Sequence, residues 1–291
     1  MHNILITGAS GMLGATLSLL WQDKYNIFAT DHNDYPGNKI KNFKLFDLLE
    51  DSYEELIRWS NPDIIVHCAA MTNVDECENH PKQAMVINSE SVNKILLNTC
   101  NIKVIFISSD AVFADGHSMA TEGVISDSET IYGKSKIKAE QYLLNSGHNH
   151  LVIRTTIVGK NINKNKKGFV EWIVDSVIDK KYIILFNDVS FTPITIWHLA
   201  KEIEWCINNN ISGLLHISGK NPITKFKFGI ELCQYIGLNT KFIKKGNLNN
   251  IKFKSKRSND QTISSEHYEN ISNRKMPSVR DTLVSLTKNF I

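Results

Sequence analysis

The feature that most limits how this chain can fold lies within its first 14 residues. Ile4, Leu5, Ile6 and Thr7 form a short apolar, β-branched run. Gly8-Ala9-Ser10-Gly11-Met12-Leu13-Gly14 follows at once, and a helical pattern opens behind it. Gly8 permits a tight turn, Gly11 lets a pyrophosphate approach the backbone, and Gly14 lets the helix pack closely on the strand. The first N–H groups of such a helix lack intrahelical partners and face phosphate charge. Strand, loop and helix in this order predict a dinucleotide cradle in which Ser10, Met12 and Leu13 join the three glycines.

The rest of the first half keeps the same rhythm. Candidate strands at 4–7, 26–29, 43–46, 64–67, 104–107 and 151–153 alternate with helix-sized segments at 12–20, 53–59, 82–100 and 132–144. Several strands are continuously apolar, as expected when both faces of a sheet are covered. The alternation predicts an α/β fold built on a Rossmann-type doubly wound parallel sheet. After about residue 158 the rhythm weakens: 161–168 and 247–260 are polar, and 214–217 reads as a strand returning to the sheet. The expected organisation is an NAD(P)-binding domain over 1–158, with a returning segment near 187–218. A smaller, interleaved substrate-binding lobe covers 159–291.

Asp31 ends the second candidate strand, 17 residues past Gly14. A carboxylate there accepts hydrogen bonds from the adenosine ribose and repels a 2′-phosphate, which favours NAD. His32, with Lys39 and Lys41 beyond it, leaves NADP open, and a turn-forming aspartate is the plain structural alternative. Asp47 and Leu48, after the third strand, are placed to meet the adenine edge.

Tyr132 and Lys136 are four residues apart in a helical pattern and share a face with Ala139 and Leu143. A free phenol has a pKa of about 10, and a neighbouring ammonium lowers it by favouring the phenolate. The pair is common by chance in a lysine-rich chain, so its context decides. Ser108-Ser109-Asp110 follows the strand at 104–107, at the sheet edge where open α/β folds bind ligands. A Ser109 hydroxyl there polarises a carbonyl that Tyr132 protonates; helix or turn capping is its structural alternative.

Bulk properties exclude other classes. The net charge of +3, from 33 basic and 30 acidic residues, gives no footprint for nucleic acid. The basic cluster Lys252, Lys254, Lys256 and Arg257 reads as a solvated loop or as the phosphate-facing edge of a cleft. Five cysteines without a C-x-x-C pair argue against disulfides or structural zinc. Ten scattered histidines give no metal expectation. Without a signal-peptide pattern or a membrane-length apolar run, the expectation is a cytoplasmic protein with no membrane partner.

Together these motifs resemble the extended short-chain dehydrogenase/reductase superfamily, and within it the dTDP-4-dehydrorhamnose reductase-like group. The resemblance runs from the glycine loop through His67 to Asp75, Ile87-Asn88, Ser109-Asp110-Ala111-Val112-Phe113 and Tyr132 to Lys136. It continues through Arg154-Thr155, Pro193, Gly213 to His216 and Lys256 to Asn259. It implies NAD(P)H-dependent reduction of a 4-keto nucleotide-sugar for surface polysaccharide, with Ser109, Tyr132 and Lys136 catalytic. Lys136 also holds the nicotinamide ribose, and Asn88 supports Lys136 through water. Cys68, Ala69 and Ala70 line the cofactor side. Thr72, Val74, Asp110, Ile157 and Arg257 face the substrate, Arg257 on its nucleotide part. A homodimer is compatible with the resemblance, and the assembly stays open.

Two departures bear on the sugar. Rhamnose-forming members carry a tyrosine and a tryptophan where this chain has Ala111 and Ile157, so stacking area is lost and the pocket is reshaped. Two rival readings remain. A dehydratase or epimerase needs another acid/base pair, and Asp110 is followed by alanine. A dinucleotide-binding regulatory subunit without turnover has no need of a tuned phenol.

Overall fold

The central strands of the N-terminal half are apolar on both sides because each side meets a different layer. In the computed structural model, which describes residues 1–34, 40–251 and 253–290, six strands in chain order are Asn3–Thr7 (β1), Asn26–Asp31 (β2), Asn42–Leu45 (β3), Ile64–His67 (β4), Lys103–Ile107 (β5) and His150–Arg154 (β6). Successive side chains alternate across a strand. On β1, Ile4 and Ile6 enter one core with Leu13 and Leu17 of helix Met12–Trp21. Leu5 enters a second core with Leu56, Val92, Ile95, Ala139 and Leu143 on the opposite face. Helices on both faces of a parallel sheet are the doubly wound arrangement expected.

The sheet has seven strands, all paired in parallel, ordered Gly213–His216, β6, β5, β4, β1, β2, β3. Strand order reverses between β1 and β4, and a crevice opens there beyond the carboxyl ends of the strands. The returning strand pairs Gly213 with Leu151 and His216 with Arg154.

One expected element differs in detail. The helix anticipated at 82–100 runs as Pro81–Met85, a π turn at Val86–Glu90, and Ser91–Leu97. The π turn inserts one residue into the helical ladder. It carries Asn88, whose amide accepts from Met71 N at 2.7 Å and donates to Met71 O at 3.0 Å.

The second half contributes to both halves of the molecule. Helix Ile196–Asn208 lays Ile196, Leu199, Ala200 and Ile203 into the same core as Leu13 and Leu17. Helices Phe169–Ile178, Lys225–Tyr235 and Val279–Phe290 surround a separate core that includes Phe191, Phe228, Leu232, Leu283 and Leu286. Strand Asp260–Gln261 pairs in parallel with Ser190–Phe191, which returns the Arg257 segment to the crevice. Lys39 and Lys252, weighed above as cations, lie outside the described residues.

Candidate active site

The crevice is a cleft of about 930 Å³, within the range of small-molecule sites. One wall is the glycine loop. Gly8 has φ +70°, and a Cβ on Gly14 would lie 2.3 Å from the Gly8 carbonyl oxygen, so the helix can approach only because that side chain is missing. Helix Met12–Trp21 begins at Gly11 without any side-chain cap. Met12 and Leu13 therefore present first-turn N–H groups to the cleft, a donor set that fits a dinucleotide pyrophosphate.

Asp31 is 6% exposed at the end of β2. Its Oδ2 accepts from Ser10 N at 2.9 Å and its Oδ1 from Asn33 N at 3.1 Å. The carboxylate thus braces the glycine loop while lining the cleft, so the turn role and a cleft-lining position coexist. His32 Nδ1 is 3.2 Å from Asp31 Oδ1. Lys41 is exposed. Asp47 and Leu48 line the same end, and Asp47 Oδ1 also accepts from Leu49 N at 2.8 Å. Cys68, Ala69, Ala70 and Thr72, following β4, form the floor towards the centre.

Ser109, Tyr132 and Lys136 meet at the carboxyl end of β5. Thr130 caps helix Ile131–Leu144 by accepting from Gly133 N at 3.0 Å. A Cβ on Gly133 would stand 2.1 Å from the Ala111 carbonyl oxygen, so this helix lies directly against the Ser109–Ala111 turn. The Ser109 hydroxyl donates to Asp110 Oδ1 at 2.7 Å, accepts from Ala111 N at 3.1 Å, and lies beside the Tyr132 phenol. It is both a cap and a cleft-lining hydroxyl. Lys136 Nζ donates to the Ile107 carbonyl at 2.9 Å and lies 4.5 Å from the Phe106 ring centroid.

The electrostatics correct one expectation. Burial pushes the Tyr132 phenol up; the neighbouring Ser109 hydroxyl works against that, and the nearby Asp110 charge adds to it. Burial also holds Lys136 down at about 8. The lowering of the phenol expected from Lys136 does not appear; desolvation of the phenol dominates instead. Tyr132 is therefore a neutral phenol with a proton to give. Asn88 directs its amide to Met71 and to Ser135 Oγ, at 2.9 Å, and makes no direct bond to Lys136.

The substrate side continues past Asp110. Val74, Asp110, Ala111 and Arg257 line a smaller recess of about 100 Å³, and Asp110 and Ile157 also face the main cleft. Arg257 Nη2 is 2.7 Å from Asp75 Oδ1, and its guanidinium lies 3.9 Å from the Phe253 centroid. Cleft residues that the sequence reading did not single out include Lys166, whose Nζ donates to Ser10 Oγ at 2.8 Å, Lys225 and Gln261. The polar stretch at 161–168 was the one signal for Lys166; Lys225 and Gln261 had none. Among the described residues no three His, Cys, Asp or Glu side chains converge as a metal cage, and no helix is long and apolar enough to cross a membrane.

Comparison with known proteins agrees with this geometry. A probable low-salt glycan biosynthesis reductase from Haloferax volcanii, Agl14, is 23% identical over 98% of this chain and 97% of its own. The β subunit of methionine adenosyltransferase 2 from Danio rerio is 27% identical over 81% of this chain and 75% of its own. A dTDP-4-dehydrorhamnose reductase from Bacillus anthracis, solved in complex with NADP, superposes with a TM-score of 0.88 over 98% of each chain at 23% identity. The family described as the RmlD substrate binding domain matches residues 1–291. The chain belongs to this family, an RmlD-like group of the extended short-chain dehydrogenases/reductases.

Proposed function

We propose that this protein reduces the keto group of a nucleotide-linked 4-keto sugar at the expense of a nicotinamide dinucleotide. The observation that carries the reading is the convergence of the Ser109 hydroxyl and the Tyr132 phenol in one cleft. Both stand beside Lys136 at the sheet edge that also holds an uncapped, glycine-cradled helix start. The reduced dinucleotide supplies hydride to the carbonyl carbon. The Ser109 hydroxyl turns from Asp110 to polarise the carbonyl oxygen, and the Tyr132 phenol gives that oxygen its proton. The resulting phenolate is stabilised by the Lys136 ammonium until solvent restores the proton.

Met12, Leu13 and Ser10 serve the pyrophosphate, and Asp31 faces the adenosine ribose, which favours NAD. Val74, Ile157 and Arg257 serve the nucleotide sugar. Ala111 and Ile157 stand where rhamnose-forming members carry sugar-facing aromatics, which leaves more room at the sugar. Five free cysteines suit a reducing, cytoplasmic setting for surface-polysaccharide synthesis.

The likeness to a methionine adenosyltransferase β subunit favours a second reading, in which the chain binds a dinucleotide as a regulatory subunit. A panel of 4-keto nucleotide sugars, followed by loss of NADH or NADPH absorbance, separates the two. Turnover supports the reductase; dinucleotide binding without turnover on any member, together with co-purification of a stable partner enzyme, supports the subunit.

A further inference from the structure

Lys225 is a half-buried cation that the reduction chemistry above does not use. It opens helix Lys225–Tyr235, which Thr224 caps by accepting from Lys227 N at 3.2 Å. Its own N–H donates to Val189 O at 2.9 Å. The backbone is thus fixed, and the side chain runs between two rings into the cleft. Nζ lies 3.7 Å from the Phe191 centroid and 5.0 Å from that of Phe169. Its ammonium feels the Asp110 charge but is too far away for an ion pair, and Asp110 Oδ1 already accepts from Ser109. Among the described residues Lys225 Nζ makes no hydrogen bond.

An ammonium has three donors, and removing it from water costs several kcal/mol by general estimate, of which ring faces return about 0.5–2. Burial accordingly holds Lys225 down at about 8, with Asp110 acting the other way. Close by, the Thr155 hydroxyl is 4% exposed and has no hydrogen-bond partner. Thr155 O accepts from Asp110 N at 3.4 Å, which places it on the same wall. Ala111 and Ile157, also on this wall, leave space in front of these donors.

Building on the nucleotide-sugar reading, we propose that Lys225 determines which sugar is accepted, by donating to an oxygen-bearing substituent of the ring, a carboxylate above all. A methyl group in that place would keep the ammonium desolvated and unpaired. A hydroxyl supplies one acceptor, and a carboxylate supplies acceptors and charge together. A site built around such a donor rejects the analogue lacking the acceptor far more strongly than an apolar pocket rejects an extra methylene.

The test uses three nucleotide sugars that differ at one carbon, the esters of glucuronate, glucose and 6-deoxyglucose, each as the UDP and dTDP compound. None carries a ketone, so with reduced dinucleotide, which finds no carbonyl to take its hydride, all bind without turnover to the saturated full chain. Calorimetric titration is expected to rank carboxylate above hydroxymethyl above methyl, spanning about 100-fold in Kd. Lys225→Met should compress the span to about threefold, and Lys225→Arg should keep most of it. An unchanged span in a folded Lys225→Met, or a parent that prefers the methyl compound, overturns the inference. Should Lys225→Met fail to fold, the parent's own ranking decides. Equal binding of all three overturns only the role of Lys225, whereas no binding of any ester removes the nucleotide-sugar reading as well.

Discussion

The Glu140 carboxylate accepts from the Ser108 hydroxyl at 2.6 Å, two helical turns from Tyr132 and one residue before Ser109. The same carboxylate takes Arg154 Nε at 2.9 Å and Nη2 at 2.6 Å, so one side chain ties the Tyr132 helix to the ends of β5 and β6. Both charges are buried, 4% and 3% exposed. Removing one partner of such a pair strands the other charge. Glu140→Gln is expected to cost about 3 kcal/mol of unfolding free energy, read by urea denaturation. It should also lower kcat while leaving the dinucleotide Kd nearly unchanged. A variant as stable as the parent would show that the pair contributes nothing net.

Tyr132→Phe removes only the phenolic oxygen, whose neighbour is the Ser109 hydroxyl. The ring keeps its place, so dinucleotide affinity should persist. Loss of general-acid catalysis is worth about 100- to 10,000-fold, and kcat/KM for the keto-sugar is expected to fall by that much. Because burial keeps the phenol protonated, kcat for reduction should not decline through deprotonation of Tyr132 below about pH 9. Steady-state rates with parallel fluorescence titration check both points; full activity in the phenylalanine variant would remove Tyr132 from the mechanism.

Lys136 binds its proton more weakly in the folded chain, near 8, than at the ordinary lysine value of 10.5. Between those values the unfolded chain holds more protons, so this group makes stability rise with pH; below 8 its full burial cost is felt. The slope from one such group approaches about 1.4 kcal/mol per pH unit. Urea unfolding of the ligand-free parent and of Lys136→Met at pH 7, 8, 9 and 10 should show the parent gaining on the variant from pH 8 upwards. A constant gap across the series would mean that Lys136 titrates alike in both states.

The sheet and the cofactor wall were legible because local rules and the fold agree there. Ile4, Leu5 and Ile6 read as a two-sided strand, and each does meet a core on its own side of the sheet. Tyr132 and Lys136 were legible as a pair because helical spacing alone aligns them. Asn88 was placed in the right segment, but its aim was hidden, since a π turn sets its direction and the hydrophobic pattern carries no sign of one. Lys225 was invisible for a different reason. Its route to the cleft depends on the docking of Lys225–Tyr235 beside Phe169 and Phe191, contacts made across more than 30 residues that no local period encodes.

The role proposed for Asp31 is the choice between the two dinucleotides, and its hydrogen bonds make the expected consequence of removing it twofold. Oδ2 holds Ser10 N, so a shorter side chain loosens the glycine loop and weakens binding of either cofactor. The carboxylate charge is also the feature that opposes a 2′-phosphate. Two like charges about 4 Å apart near a protein surface repel by about 4 kcal/mol before screening by salt. In Asp31→Ser the absolute kcat/KM with NADH should therefore fall, while the NADPH-to-NADH ratio of kcat/KM should rise by at least about tenfold. His32, exposed beside the vacated carboxylate, then becomes available to the phosphate. Measuring both ratios in parent and variant decides the matter: a parent that prefers NADPH, or a ratio that does not move on substitution, assigns cofactor choice to some other residue.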